Sequence, residues 1–72
     1  MIEMHVRTYT EESDGDLHIQ AMAHIENAFK AHNGAFDSHT DKGFVFKFES
    51  ESDAKSFKNA INQNKYLDSD FI

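Results

Sequence analysis

Apolar and polar positions change period along this chain, and the changes mark out its elements. From Ile2 to Tyr9 the two kinds alternate: Ile2, Met4 and Val6 fall on one face, and Glu3, His5, Arg7 and Tyr9 on the other. Alternation of period two with β-branched residues predicts a half-buried strand. Thr8 and Thr10 extend it with favourable β-propensity. The polar run from Glu11 to Asp16 breaks the pattern and reads as a loop, in which Ser13 and Asp16 have the spacing of a capping box with Asp in place of Glu, Asp16 itself being the alternative N-cap. From Leu17 to His32 the period is helical. Leu17, Ala21, Met22, Ile25, Ala28 and Phe29 cover one broad face, Ala23, Glu26, Asn27 and Lys30 the other, and Ile19 stands on the polar side as an exposed contact. Asn33 and Gly34 end this helix, with Gly34 as the left-handed residue of the C-cap.

Ala35 to His39 predicts a short second strand with Phe36 as its one large apolar residue. Thr40 to Gly43 turns the chain, and Asp41 followed closely by Gly43 suits a hairpin with Gly43 in the left-handed conformation and an adjacent bulge. Phe44 to Glu49 alternates strictly: Phe44, Phe46 and Phe48 point one way, Val45 and Lys47 the other. Ser50 with Asp53, or Ser52 alone, caps a second helix, which buries Ala54, Phe57, Ala60 and Ile61 and weakens at Asn62-Gln63-Asn64. Tyr66 to Ile72 closes the chain as a short strand with Leu67 and Phe71 in phase.

The element order is therefore βαββαβ in a single α+β domain, residues 1–72. This is the split β-α-β, ferredoxin-like arrangement: a four-stranded antiparallel sheet in the order 4-1-3-2 with both helices on one face. Ile2, Met4, Val6, Phe44, Phe46 and Phe48 are expected to meet Leu17, Ala21, Ile25, Ala28, Phe57 and Ile61 in one core. A domain of 72 residues has a net stability of only about 3–5 kcal/mol to draw on. It holds no cysteine, so no disulfide or thiolate site supplements that core. A homodimer is the remaining way to enlarge it.

Charge narrows the function classes. Thirteen acids against seven bases give a formal charge of -6. That disfavours a phosphate backbone as partner, because nucleic-acid binding needs a basic patch, and it suits a protein partner with a basic surface, steered in electrostatically. No apolar run approaches the length of a membrane span. The N-terminal Met-Ile-Glu-Met-His-Val has no basic segment followed by an apolar one, and the expected location is the cytoplasm.

Catalytic and metal chemistry find little support in the spacing. Of the five histidines, His18, His24 and His32 lie six and eight residues apart on the first helix, so no two sit one turn apart as zinc ligands do. His5 and His39 are expected on the open sheet face with the third strand between them. Asp14-Gly15-Asp16 resembles the start of a calcium loop, but its twelfth position is Ile25 where a Glu is needed. The serines lie in capping contexts and the glycines stand singly, so neither a nucleophile nor a phosphate-cradling loop is indicated, and neither an enzyme nor a cofactor is expected. The acids are better organised. Glu11, Glu12, Asp14, Asp16 and Asp41 are expected at one end of the sheet, and the acidic loop 49–53 with Asp68 and Asp70 at the other.

Residues 42–61, KGFVFKFESESDAKSFKNAI, resemble the second half of an RNA-recognition motif, with Lys42, Gly43, Phe44 and Phe46 matching its third-strand signature. The resemblance implies the same fold and, for the family, aromatic side chains on the open sheet face that stack on bases. Anchoring instead on Phe48, ahead of the second helix, shifts the register by one residue and turns every side chain over. Phe44, Phe46 and Phe48 then take the core positions, and Gly43 and Val45 the stacking ones. Only Tyr9 then offers an aromatic at the margin of the open face.

The expectation is a small acidic, non-enzymatic binding or regulatory protein acting through protein contacts. Its candidate surfaces are the open sheet face (Glu3, His5, Arg7, Tyr9, Val45 and Lys47) and the acidic end around Glu11, Glu12, Asp14 and Asp41. A sharper form is an inhibitor, of the kind mobile elements encode, that imitates nucleic-acid charge to block a basic nucleic-acid-handling host protein. The alternatives are a binder of single-stranded RNA and a ligand-sensing dimer similar in element order to the ACT domain.

Overall fold

A computed structural model describes residues 1–72. The strands are β1 (Ile2–Thr8), β2 (Ala35–Thr40), β3 (Gly43–Phe48) and β4 (Leu67–Phe71); the helices are α1 (Asp16–Ala31) and α2 (Glu51–Asn62); and a 3-10 turn, Glu12–Asp14, precedes α1. All strand pairs are antiparallel, and the sheet runs β2-β3-β1-β4, which is the expected 4-1-3-2 order read from the other edge. The fold is α+β and ferredoxin-like. No helix is long and apolar enough to cross a membrane.

The register sorts the two sheet faces. In β1 against β3, Met4 lies opposite Phe46 and Val6 opposite Phe44; in β1 against β4, Val6 lies opposite Ser69 and Thr8 opposite Leu67. These positions face the helices. The core joins Met4, Val6, Phe46, Phe48 and Leu67 from the sheet to Ala21, Ile25, Ala28, Ala54, Phe57 and Ile61 from the helices. Phe46 is 2 % exposed and Phe48 fully buried, as the Phe48-anchored register requires. Phe29 stacks on Phe46 with centroids 4.8 Å apart, and Phe57 reaches both Phe46 and Phe48, at 5.5 and 4.9 Å. Ile2 and Phe44 pack against this cluster while staying partly exposed, because they lie toward the ends of the central strands. Leu17 is likewise half-exposed.

Three local expectations are corrected. The left-handed residue that ends α1 is Asn33, at φ 58°, and Gly34 serves packing: a Cβ there would come within 2.5 Å of the Phe48 ring. Gly43 has no positive φ either; it pairs with Thr40 inside the sheet, and a Cβ on it would lie 1.8 Å from the Val6 carbonyl oxygen. The entry to α1 is not a Ser13–Asp16 box. Asp14 accepts a hydrogen bond from the Glu11 N–H at 2.7 Å and closes the 3-10 turn, and Gly15, at φ 62°, redirects the chain into the helix. The Ser50 cap of α2 forms as expected, its hydroxyl accepting from the Asp53 N–H at 3.3 Å.

Side-chain clasps fix the layers to each other. Thr8 and Thr10 share a hydrogen bond at 2.9 Å, and Thr10, 5 % exposed, meets His18 Nδ1 at 2.9 Å. These bonds satisfy a buried hydroxyl and pin the β1–α1 loop to the helix. His24 Nε2 donates to the Ala60 carbonyl at 2.8 Å, so α1 caps one of the orphan carbonyls in the last turn of α2.

Candidate functional site

Two surfaces carry the residues singled out by the sequence: the sheet face opposite the helices, and the end of the sheet where the β1–α1 loop meets the β2–β3 hairpin. On the open face the odd positions of β1 stand in the middle. Arg7 lies opposite Asp68, and His5 opposite Asp70. The guanidinium bridges both carboxylates, with Nε 2.8 Å from Asp68 and a terminal nitrogen 2.6 Å from Asp70. Tyr9 donates its hydroxyl to Asp68 at 2.7 Å. The hydrogen bond from Arg7 holds the Asp70 carboxyl below the usual carboxylate range, partial desolvation opposing it. Asp70, Tyr9 and Asp68 in turn push the Arg7 guanidinium further up.

Asp68 and Asp70 were expected at the far end of the sheet; they are on its open face. β4 runs antiparallel to β1 from Leu67 opposite Thr8, so its alternate residues line up beside Arg7 and His5. Their charges have a local purpose, the neutralisation of Arg7.

The rest of the open face is similarly self-satisfied. Lys47 pairs with Asp37 at 3.3 Å, and His5 Nε2 meets the Thr40 hydroxyl at 2.8 Å, spanning β3. Val45, offered by the sequence as a contact residue, is only 7 % exposed, flanked by His5 on one side and Ser38 on the other. It has little surface to give a partner. His39 is corrected from the open face to the helix face. The register of β2 against β3 shifts between Phe36 and Ser38, so that Asp37 occupies a bulge and His39 stands opposite Phe44. There its ring contacts Phe44 and Phe36, each with centroids 5.3 Å apart. Of the open-face candidates, Glu3 alone is a charged side chain with no ion pair or side-chain hydrogen bond. The aromatic residue on this face is Tyr9, 62 % exposed and already bonded to Asp68.

The acidic end is different. Glu11, Glu12, Asp14, Asp16 and Asp41 are all exposed, and none takes part in any of the ion pairs of the molecule, which join Arg7, Lys30, Lys47 and Lys55 to other acids. The hairpin is tied beside the loop by a hydrogen bond from the Thr8 N–H to the Lys42 carbonyl at 3.1 Å. A cleft of about 510 Å³ opens between them, lined among others by Glu11, His18, His39, Asp41 and Lys42. Asp14 has a structural duty in closing the 3-10 turn. Glu11 stands at the N-cap of that turn as the partner of Asp14 in a capping box, and Glu12 and Asp41 have no such side-chain duty.

No three His, Asp or Glu side chains converge closely enough to hold a metal ion. The chain matches no protein-family model, no curated protein and no solved structure.

Proposed function

We propose that this chain is a small binding protein that docks onto a basic surface of a partner protein through its acidic end. The observation that carries this reading is the contrast between the two candidate surfaces. The fold neutralises Asp68, Asp70 and Asp37 on the open face, although it leaves Glu3 and Glu49 unpaired. Glu11, Glu12 and Asp41 are left exposed and unpaired on one end, fixed by the Thr10–His18 clasp and the hairpin hydrogen bond. Side chains already bonded to one another, as on the open face, must surrender those bonds to make new ones. Free carboxylates on a rigid end lose only water and gain a cation.

A partner that itself handles nucleic acid fits this arrangement in a sharper form, since such proteins present the basic surface that carboxylates complement. Affinity purification from native lysate tests the reading, with the wild-type chain and a Glu11→Lys/Glu12→Lys variant as baits. The wild type retains a basic partner that elutes with salt, and the variant loses it. Equal recovery by both baits would sink the acidic-end reading.

A further inference from the structure

We infer that the Asn33–Gly34 link at the C-terminus of α1 is a covalent modification site. It is a succinimide-forming pair that the closed helix cap protects, and opening of that cap converts Asn33 irreversibly to aspartate or isoaspartate. This site stands apart from the acidic-end reading.

Asn followed by Gly is the most labile amide pair in a polypeptide, because no side chain shields the attacking nitrogen. The Gly34 amide nitrogen gives up its proton to base and bonds to Cγ of Asn33. The side-chain nitrogen leaves as ammonia, and water then opens the cyclic imide at either carbonyl. The products are an aspartyl and a β-aspartyl link, each adding one negative charge to the formal -6 of the parent chain. Water is the only co-reactant. The other asparagines, Asn27, Asn59, Asn62 and Asn64, precede Ala28, Ala60, Gln63 and Lys65, whose side chains hinder the same attack.

The fold itself asks for this pair. Position 33 lies at φ 58°, in the left-handed region that Asn and Gly tolerate best. Position 34 has no room for a Cβ, which would come within 2.5 Å of the Phe48 ring, and that ring is fully buried.

The same cap holds the pair unreactive. The Gly34 N–H donates to the Phe29 carbonyl at 2.8 Å, the six-to-one hydrogen bond of a Schellman cap. A nitrogen whose proton is held in this way is not free to attack. The Asn33 amide is drawn toward the start of α2, where its Nδ2 donates to Asp53 at 3.4 Å. Asn33 is exposed, so base and water reach the pair once the Gly34 hydrogen bond opens. Helix ends open more readily than the core around them.

Reclosure is then blocked. A β-aspartyl link puts an extra methylene in the main chain, so the Gly34–Phe29 hydrogen bond and the fit of Gly34 against Phe48 cannot re-form together. Either product sets a carboxylate beside Asp53 and at the negative end of the α1 dipole. A transient opening becomes permanent, and the cap sets the chemical lifetime of the native chain.

The test is tryptic mapping by mass spectrometry of the full chain after timed incubation in mildly alkaline buffer, native and in guanidinium chloride. Asn33 is the only asparagine in the tryptic peptide 31–42, so its conversion reads as the amide-to-acid mass gain of that peptide. Asn33 converts about tenfold or more faster in denaturant than in the native chain, and in denaturant it converts faster than every other asparagine. In the native chain the Gly34 amide is protected from hydrogen exchange. Asn33→Gly keeps the left-handed turn and the native circular dichroism, and its peptide shows no conversion under either condition. Converted chain, separated by anion exchange and returned to native buffer, melts at a lower temperature than unconverted chain from the same sample. Equal conversion rates in the two conditions, or a Gly34 amide that exchanges freely in the native chain, overturn the protecting cap. Conversion at Asn33 no faster than at Asn59 or Asn64 in denaturant overturns the site. Equal Tm for converted and unconverted chain overturns the block to reclosure.

Discussion

The glycines and Phe46 show how much single residues decide here. Gly43 sits where β3 crosses closest to β1, and a methyl group there would overlap the Val6 carbonyl, which is backbone and cannot step aside. Gly43→Ala is therefore expected to destabilise by more than Gly15→Ala, where the new methyl meets open space and the cost is only the positive φ, about 1–3 kcal/mol. Paired denaturant titrations of the two variants check the order. Phe46 touches Phe29 from α1 and Phe57 from α2 across the sheet. Phe46→Ala should cost about 3–5 kcal/mol, comparable to the whole stability expected of so small a core, so circular dichroism at room temperature should find the variant largely unfolded. The burial of Phe46 was legible from the alternation of Phe44, Phe46 and Phe48 and from Phe48 in phase with α2. The reason for each glycine was not, because closeness to Phe48 or to Val6 is a tertiary fact that no local window contains.

At the scale of elements, periodicity carried the helices and strands to within a residue or two, and with them the sheet order, since the apolar sides of β1 and β3 had to meet the helices. It failed where the period is broken on purpose. The bulge at Asp37 adds one residue to β2 and moves His39 to the helix face; in a strand of six residues with one large apolar side chain, nothing in the pattern announces it. β4 illustrates a second limit. Asp68 and Asp70 alternate around buried Ser69, which marks them as neighbours on one face, but their meeting with Arg7 depends on a strand register set by the far end of the chain. That cluster has a consequence in pH. The folded-state pKa of Asp70 lies below its unfolded value, chiefly through the hydrogen bond from Arg7. Its contribution to stability is therefore present above the ordinary carboxylate pKa, about 3.9, and is lost as pH falls through the folded value. Asp70→Asn should lower Tm at neutral pH and narrow its gap to the wild type progressively below pH ~4, as thermal melts across that range would report. A constant gap would mean that the Arg7–Asp70 pair does not contribute through its charge.

For the whole molecule, the distribution of charge matters more than its sum. Net charge alone was legible from composition, and it says no more than that a basic partner is suited and a phosphate backbone is not. The structure divides the acids into those the fold neutralises and those it leaves free, and among the free ones Glu11, Glu12 and Asp41 share one end of the sheet, while Glu3 and Glu49 lie toward the other. Charges of this kind act first on the rate of encounter, and they are screened beyond about 8–10 Å at physiological salt. The most direct measurement is therefore the association rate of the purified partner as a function of ionic strength, for the wild type and for Glu11→Lys/Glu12→Lys. The account predicts that the wild-type rate is high at low salt and falls steeply as salt rises, while the variant associates slowly and nearly independently of salt. Association rates that coincide for the two proteins across the salt range would contradict it.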